Sequence, residues 1–174
     1  MTDSSSGLSY QLLSSPWQPG CPYAPDTPTF SWSAGESALA GQVVVAGSAT
    51  DWYGGACSGP LQPQFGYSGV ADLEPTAMDL AESLDLVYYA GLPHYQMLQD
   101  SSGMQVSGHP AWEVMFLMTY PDAASEGLAW TSEAGAVVVV DRGAGQAPAV
   151  FYVSVPSNLG TSAVGILISS LRLG

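Results

Sequence analysis

Few residues in this chain could do chemistry, and their spacing limits what each can do. The two histidines, His94 and His109, form no H-x-x-x-H or H-E-x-x-H pair that would hold a metal. His109 and Glu113 could reach a common edge, but one imidazole and one carboxylate do not complete a metal or acid–base set. His94 follows Leu92-Pro93, and His109 sits in Gly108-His109-Pro110. Both are expected as turn histidines that hydrogen-bond backbone. A nucleophilic serine calls for a G-x-S-x-G elbow, and Gly66-Tyr67-Ser68-Gly69 lacks that spacing. Asp79, Glu82 and Asp85 fall at three-residue intervals on a predicted helix and read as a solvated face, not as glycosidase carboxylates flanking a cleft. Arg142 to Gln146 (RGAGQ) is no phosphate loop, because it lacks G-x-G-x-x-G and opens no helix. It reads as a hairpin turn. These patterns assign no catalytic residue, no metal ligand and no cofactor.

Recognition is the chemistry that remains. Trp17, Trp52, Tyr53 and Tyr67, with Tyr23, place bulky rings in Gly- and Pro-rich segments. Tyr and Trp make large contacts at low entropic cost, so these rings are a candidate binding patch. The alternative is that the loops fold back and bury the rings as a second small core. Tyr88, Tyr89 and Tyr95 raise the same question at a helix end. Arg142 is expected either to anchor loops through carbonyl oxygens, with a local ion pair to Asp141, or to contact an anion. Cys21 and Cys57 lie in polar, Gly/Pro-rich contexts and read as one disulfide joining two loops, which would imply an oxidising compartment; the alternative is two unpaired surface or half-buried thiols.

Composition narrows the partners. Among 174 residues there are 15 Asp plus Glu and 2 basic residues, giving a net charge of −13, yet only 10% are charged. The chain is depleted of cations rather than rich in acids. A nucleic-acid footprint is excluded, since phosphates need a Lys/Arg surface. Docking to anionic lipid is disfavoured for the same reason. No run reaches the 18 or so apolar residues of a membrane span. A hydrophobic fraction of 47% with 18 aromatic residues argues for one folded domain over residues 8–174. Residues 1–7 read as a flexible stub or the end of a tether, and removal of a leader or anchor is one way to reconcile them with the export that a disulfide implies.

The elements that must position these groups follow from periodicity. Short strands are expected at residues 10–13 and 29–32, and the β-branched run at 42–46 predicts a central strand. Residues 48–69 read as loop, with a strand near 64–67. Residues 72–90 are the clearest helix, capped by Asp72, with Ala77, Leu80, Ala81, Leu84, Val87 and Tyr88 on one face. Strands are expected at 94–99 and 104–106 around a turn at 100–103, and a long one at 111–120 with both faces apolar. Further strands fall at 128–132 and 136–141 around a turn at 133–135, and at 150–155. Residues 158–171 predict a closing helix.

The helix 72–90, the strand ending in Tyr120-Pro121, the run VVVVDRGAGQAPAVFYVSVPSNLG and the closing helix together resemble the Mog1/PsbP-like fold. The resemblance covers residues 64–173. More narrowly, it is to uncharacterised actinobacterial exported or membrane-anchored domains, including the LpqN-like lipoproteins. It implies an α+β fold, an α/β/α sandwich with a mostly antiparallel central sheet of about six or seven strands and two main helices. It also implies an extracytoplasmic location and a binding or accessory role without catalysis. A protein partner, with no nucleic acid and no direct membrane contact, is therefore expected. The alternative is a small-ligand carrier or hydrolase with a pocket between sheet and helix, for which His109, Glu113 or Arg142 would have to converge.

Overall fold

Residues 132–140 and 149–156 are apolar in nearly every position, so they must be covered on both faces, and they form the middle of the sheet. The structure, a computed structural model, describes residues 1–23, 29–45 and 47–174. Residues 24–28 of the expected N-terminal loop, and position 46 at the end of the β-branched run, lie outside the described residues. In chain order the elements are β1 (Leu8–Ser9), β2 (Gln18–Pro19), β3 (Ala34–Val45), β4 (Ser48–Pro60), α1 (Leu73–Leu84), β5 (Tyr95–Val106), β6 (His109–Thr119), β7 (Ser132–Val140), β8 (Ala149–Pro156), α2 (Ser162–Ser170) and β9 (Arg172–Leu173). Seven strands form one sheet in the order β2-β3-β4-β8-β7-β6-β5, every neighbouring pair antiparallel.

Alternation along the central strands sorts side chains onto two cores. Val137, Val139, Val150, Tyr152, Val114 and Phe116 face α1, which packs Leu73, Ala77, Leu80 and Leu84 against them. Ala136, Val138, Val140, Phe151 and Val153 face α2, which contributes Ala163, Val164 and Leu167. The helices therefore lie on opposite faces of the sheet, as the α+β sandwich expectation requires. After β4 the chain crosses one face through α1 to the far edge, then returns by the meander β5-β6-β7-β8 to pair β8 with β4.

Several boundaries differ from the sequence reading, each for a physical reason. Residues 48–60, expected as loop, are the internal strand β4: their glycines and small side chains let other segments lie directly on the sheet. The run at 42–45 is near the edge rather than central, and Val44 is exposed. β5 is one strand, so no turn occurs at 100–103. Its hairpin with β6 turns instead at Ser107-Gly108, whose φ values of 53° and 83° match the twist of a tight two-residue connection. β7 likewise runs straight through 133–135, and residues 128–131 are not strand. No strand forms at 10–13, 29–32 or 64–67; Pro63–Phe65 is a 3₁₀ turn. Asp72 stands at the N-cap of α1, but its carboxylate turns back to accept from the Ser68 N–H and hydroxyl.

Residues 1–7, expected as a flexible stub, are instead folded into the molecule. The Met1 ammonium donates to the Tyr10 carbonyl at 2.7 Å, Thr2 bridges Ser9, and Asp3 is buried. The termini meet where β1 pairs with β9. Among the described residues, no helix is long and apolar enough to cross a membrane.

Candidate binding site

The site is built where α1 ends. Past Leu84 the helix widens into a π turn over Asp85–Tyr89. One wider turn advances the buried face by about a residue, so Tyr89 rather than Val87 enters the core. Tyr88 is half-buried beside it. Tyr23 stacks on Tyr88 with ring centroids 4.3 Å apart. Tyr23 is held there by the Cys21–Cys57 disulfide, which ties its loop to β4. Gly55 of β4 makes this possible, because a Cβ there would stand 2.8 Å from Pro22 and 2.9 Å from the Tyr23 ring.

Tyr23, Tyr88 and Tyr89, with Trp52 and Tyr53 from β4, wall a cleft of about 170 Å³. Pro22, Thr50 and Asp51 form its rim, and Glu133 lies at its floor. Glu133 has no exposed surface, although the sequence suggested a turn there. The Trp52 indole N–H and the Tyr120 hydroxyl each donate to Glu133 Oε2 at 3.0 Å, and Ser154 Oγ donates to Oε1 at 2.5 Å. Behind Ser154 the Tyr89 hydroxyl donates to Ser154 Oγ at 2.5 Å and is itself hydrogen-bonded to the Tyr152 hydroxyl. Each hydroxyl has one proton, so the chain Tyr152, Tyr89, Ser154 runs toward the carboxyl. Burial pushes the Glu133 carboxyl above its ordinary range, and the hydrogen bonds from Ser154, Trp52 and Tyr120, with Tyr89 behind Ser154, reverse only part of that rise. Burial and the facing Glu133 also raise the phenols of Tyr89, Tyr120 and Tyr152, which keeps them donors.

His94 flanks this network, with its ring centroid 5.9 Å from Tyr89 and 6.1 Å from Tyr120. Its Nδ1 lies 2.7 Å from the Leu92 carbonyl, as expected of a turn histidine, and its Nε2 lies 2.6 Å from Asp85 Oδ1. Asp85 therefore does not face away, as its helix position suggested. Both ring nitrogens face oxygen acceptors, the Leu92 carbonyl and the Asp85 carboxylate. His109 Nδ1 contacts the Asp141 carbonyl at 3.1 Å.

The candidate patch is divided. Trp52 and Tyr53 share the cleft. Trp17 packs on the opposite face, near Gly54 and Leu159. Tyr67 donates to Asp141 at 2.6 Å, beyond the far end of β7 from Glu133; at strand spacing those eight residues span about 26 Å. Arg142 donates to the Ser5 carbonyl at 3.1 Å, while Asp141 accepts from Tyr67 and from the Gly143 N–H. No Asp141–Arg142 ion pair forms among the described residues. His109, Glu113 and Arg142 do not converge. Glu113 instead lines a separate groove of about 560 Å³ between the sheet edge and α2, with Arg172 at its end. No group of three or more metal-ligating side chains occurs among the described residues. Sequence reading missed Glu133, Tyr120, Tyr152 and Ser154. Their signal was the period-two run Glu133, Gly135, Val137, Val139, which places Glu133 on the α1 face of an unbroken strand.

The architecture is that of the PsbP-like α+β fold. A solved structure that the chain resembles over its whole length is that of cyanobacterial PsbP (CyanoP) from Synechocystis sp. PCC 6803, with a TM-score of 0.59, 8% identity and 91% of that chain covered. At this identity the likeness concerns the fold alone. No family model matches the chain, and no curated protein matches it.

Proposed function

We propose that the chain is a non-enzymatic binding module that works outside the cytoplasm, as part of an exported or membrane-anchored envelope protein of the actinobacterial, LpqN-like kind that its sequence resembles. Its partner is a protein, which it holds by taking one side chain into the aromatic cleft. The observation that carries this reading is the cleft's size and lining. Pockets for drug-sized ligands hold roughly 300–1,000 Å³. A cleft of about 170 Å³ walled by five aromatic rings fits a single side chain. Anchors of this kind, desolvated between Trp and Tyr rings, carry most of the energy of protein interfaces. The Cys21–Cys57 disulfide supports an oxidising compartment.

A second reading, a small-ligand carrier, draws on the 560 Å³ groove beside α2, whose Met104, Met115, Ile168 and Leu171 offer an apolar lining.

Selection of displayed random peptides on the folded, oxidised protein tests the first reading. A convergent peptide family should emerge whose binding is lost in Trp52→Ala and kept in Trp17→Ala. Peptides that bind Trp52→Ala undiminished, or no convergence at all, would reject it.

A further inference from the structure

We propose that the side chain taken into the cleft is cationic: the ammonium of a lysine or the guanidinium of an arginine presented by the protein partner. This rests on the reading of the cleft as the binding site and adds the charge of its occupant. Three observations carry it.

The first is the wall. The rings of Tyr23, Trp52, Tyr53, Tyr88 and Tyr89 surround a space no larger than a side-chain head. Tyr23 and Tyr88 stack on each other and Trp52 stacks on Trp130, so each of these rings keeps one face to offer. The face of an aromatic ring is its negative side and attracts a cation that reaches it. The second is what stands behind the wall. The Trp52 N–H donates directly to the Glu133 carboxyl, and Tyr89 donates to it through Ser154. Donation toward the Glu133 oxygens polarises each donor and makes its ring face more negative. The third is that no arginine or lysine lines the cleft. The chain's two basic residues, Arg142 and Arg172, are both engaged with carbonyl oxygens elsewhere. Arg142 lies about 26 Å or more along β7 from the cleft floor, well beyond a Debye length of about 8 Å. At the mouth Asp51 adds a carboxylate, held by the Gln42 amide at 2.9 Å and the Tyr53 hydroxyl at 3.3 Å. A neutral apolar side chain would fill the same volume but would leave this field unused, so charge is the property the cleft can select.

The test uses the oxidised protein and four probes, with the Trp52 indole N–H as reporter in two-dimensional NMR. Nα-acetyl-lysine amide and Nα-acetyl-arginine amide carry the cation. Nα-acetyl-norleucine amide keeps the lysine stem without the charge. Phosphatidylcholine vesicles present a quaternary ammonium, the choline end of a zwitterionic head group, on a membrane. The cationic amides should shift the Trp52 signal saturably, at concentrations at least tenfold below norleucine amide. Asp51→Asn, which leaves the core network untouched, should weaken the lysine probe severalfold and leave norleucine unchanged. Equal response to lysine and norleucine amides would overturn the charge assignment while leaving the cleft as a site. The same holds if selected peptides bind through Trp52 but carry no basic residue. Vesicle binding that depends on Trp52, without response to the amides, would overturn it in favour of a lipid head group. Failure of the peptide selection itself would remove the underlying reading.

Discussion

At the scale of the residue, the lack of lysine explains how this protein treats its buried acids. Asp3, Glu36 and Glu133 are all buried, and the donors that hold them are neutral side chains and backbone. Asp3 accepts from the hydroxyls of Ser6 and Ser33; burial alone would raise its carboxyl, and these bonds outweigh burial and hold it below its ordinary value. Glu36 accepts the Leu13 N–H, and burial leaves it raised. Glu133 is the best furnished of the three, and two substitutions separate its roles. Glu133→Ala strands the Trp52, Tyr120 and Ser154 donors, each worth about 1–3 kcal/mol when left unpaired, so about 3 kcal/mol or more of stability should be lost. Glu133→Gln keeps a carbonyl oxygen for Trp52, which can only donate, and turns its amide toward Ser154 and Tyr89, whose hydroxyls can accept. It should fall within about 1 kcal/mol of the parent at low pH. The pH dependence has a fixed sign. A carboxyl raised above its unfolded value of 4.5 favours the folded state below that pH, and this contribution is lost as pH climbs through the folded value. The raised Glu36 and Glu113 act in the same direction in both proteins and cancel in the comparison. Urea unfolding at pH 4 and at pH 7.5 should therefore show Glu133→Gln gaining on the parent as pH rises. A difference that does not change with pH would show that Glu133 is not shifted.

At the scale of the element, the π turn at Asp85–Tyr89 determines which rings reach the cleft. Leu86 within it is 74% exposed, so Leu86→Ala should alter stability by no more than about 0.5 kcal/mol. Deleting Leu86 removes the extra residue, restores the α phase and swings Tyr89 away from Ser154. The loss should be about 2–3 kcal/mol, since a large buried ring and its hydrogen bonds go together, and the selected peptides should no longer bind. Equal effects of deletion and substitution would show that the turn does no positioning. This element also marks the limit of what periodicity reveals. The face Ala77, Leu80, Ala81, Leu84 was legible because it repeats at 3.6 residues, but a π turn leaves no local signature and displaced the expected Val87. The fold class and α1 could be read from such patterns, as could the long strand β6. Glu133 could not, because a charged residue beside Ala134-Gly135 resembles a turn until Trp52, 81 residues earlier, supplies its donor. β4 was hidden for a related reason. Its glycines look like loop, yet at Gly55 the missing side chain is what admits Tyr23.

At the scale of the whole molecule, the Cys21–Cys57 bond is where stability and recognition meet. It closes a sequence separation of 36 and, on the chain-entropy view, contributes about 3–4 kcal/mol. Cys57 lies in the core on the α1 side, but most of both cores is built without the bond, since α1 packs against β6 and β7 and α2 against β7 and β8. A domain of this size typically retains about 5–15 kcal/mol in total, so loss of the bond should lower stability without unfolding the sheet. The cleft is more exposed to that loss. Tyr23 lies two residues beyond Cys21, and the disulfide holds its loop over Gly55 against the strand that carries Trp52. A Cys21→Ser/Cys57→Ser protein should keep its far-UV circular dichroism, unfold at lower urea, and bind the selected peptides at least tenfold more weakly under conditions where both proteins are folded. Thiol titration of the denatured parent should find no free thiol before reduction and two after it. Unchanged peptide affinity in the double variant would mean that Tyr23 is not a wall of the site. Two free thiols in the unreduced parent would remove the argument for an oxidising compartment, leaving the cleft to be held by packing alone.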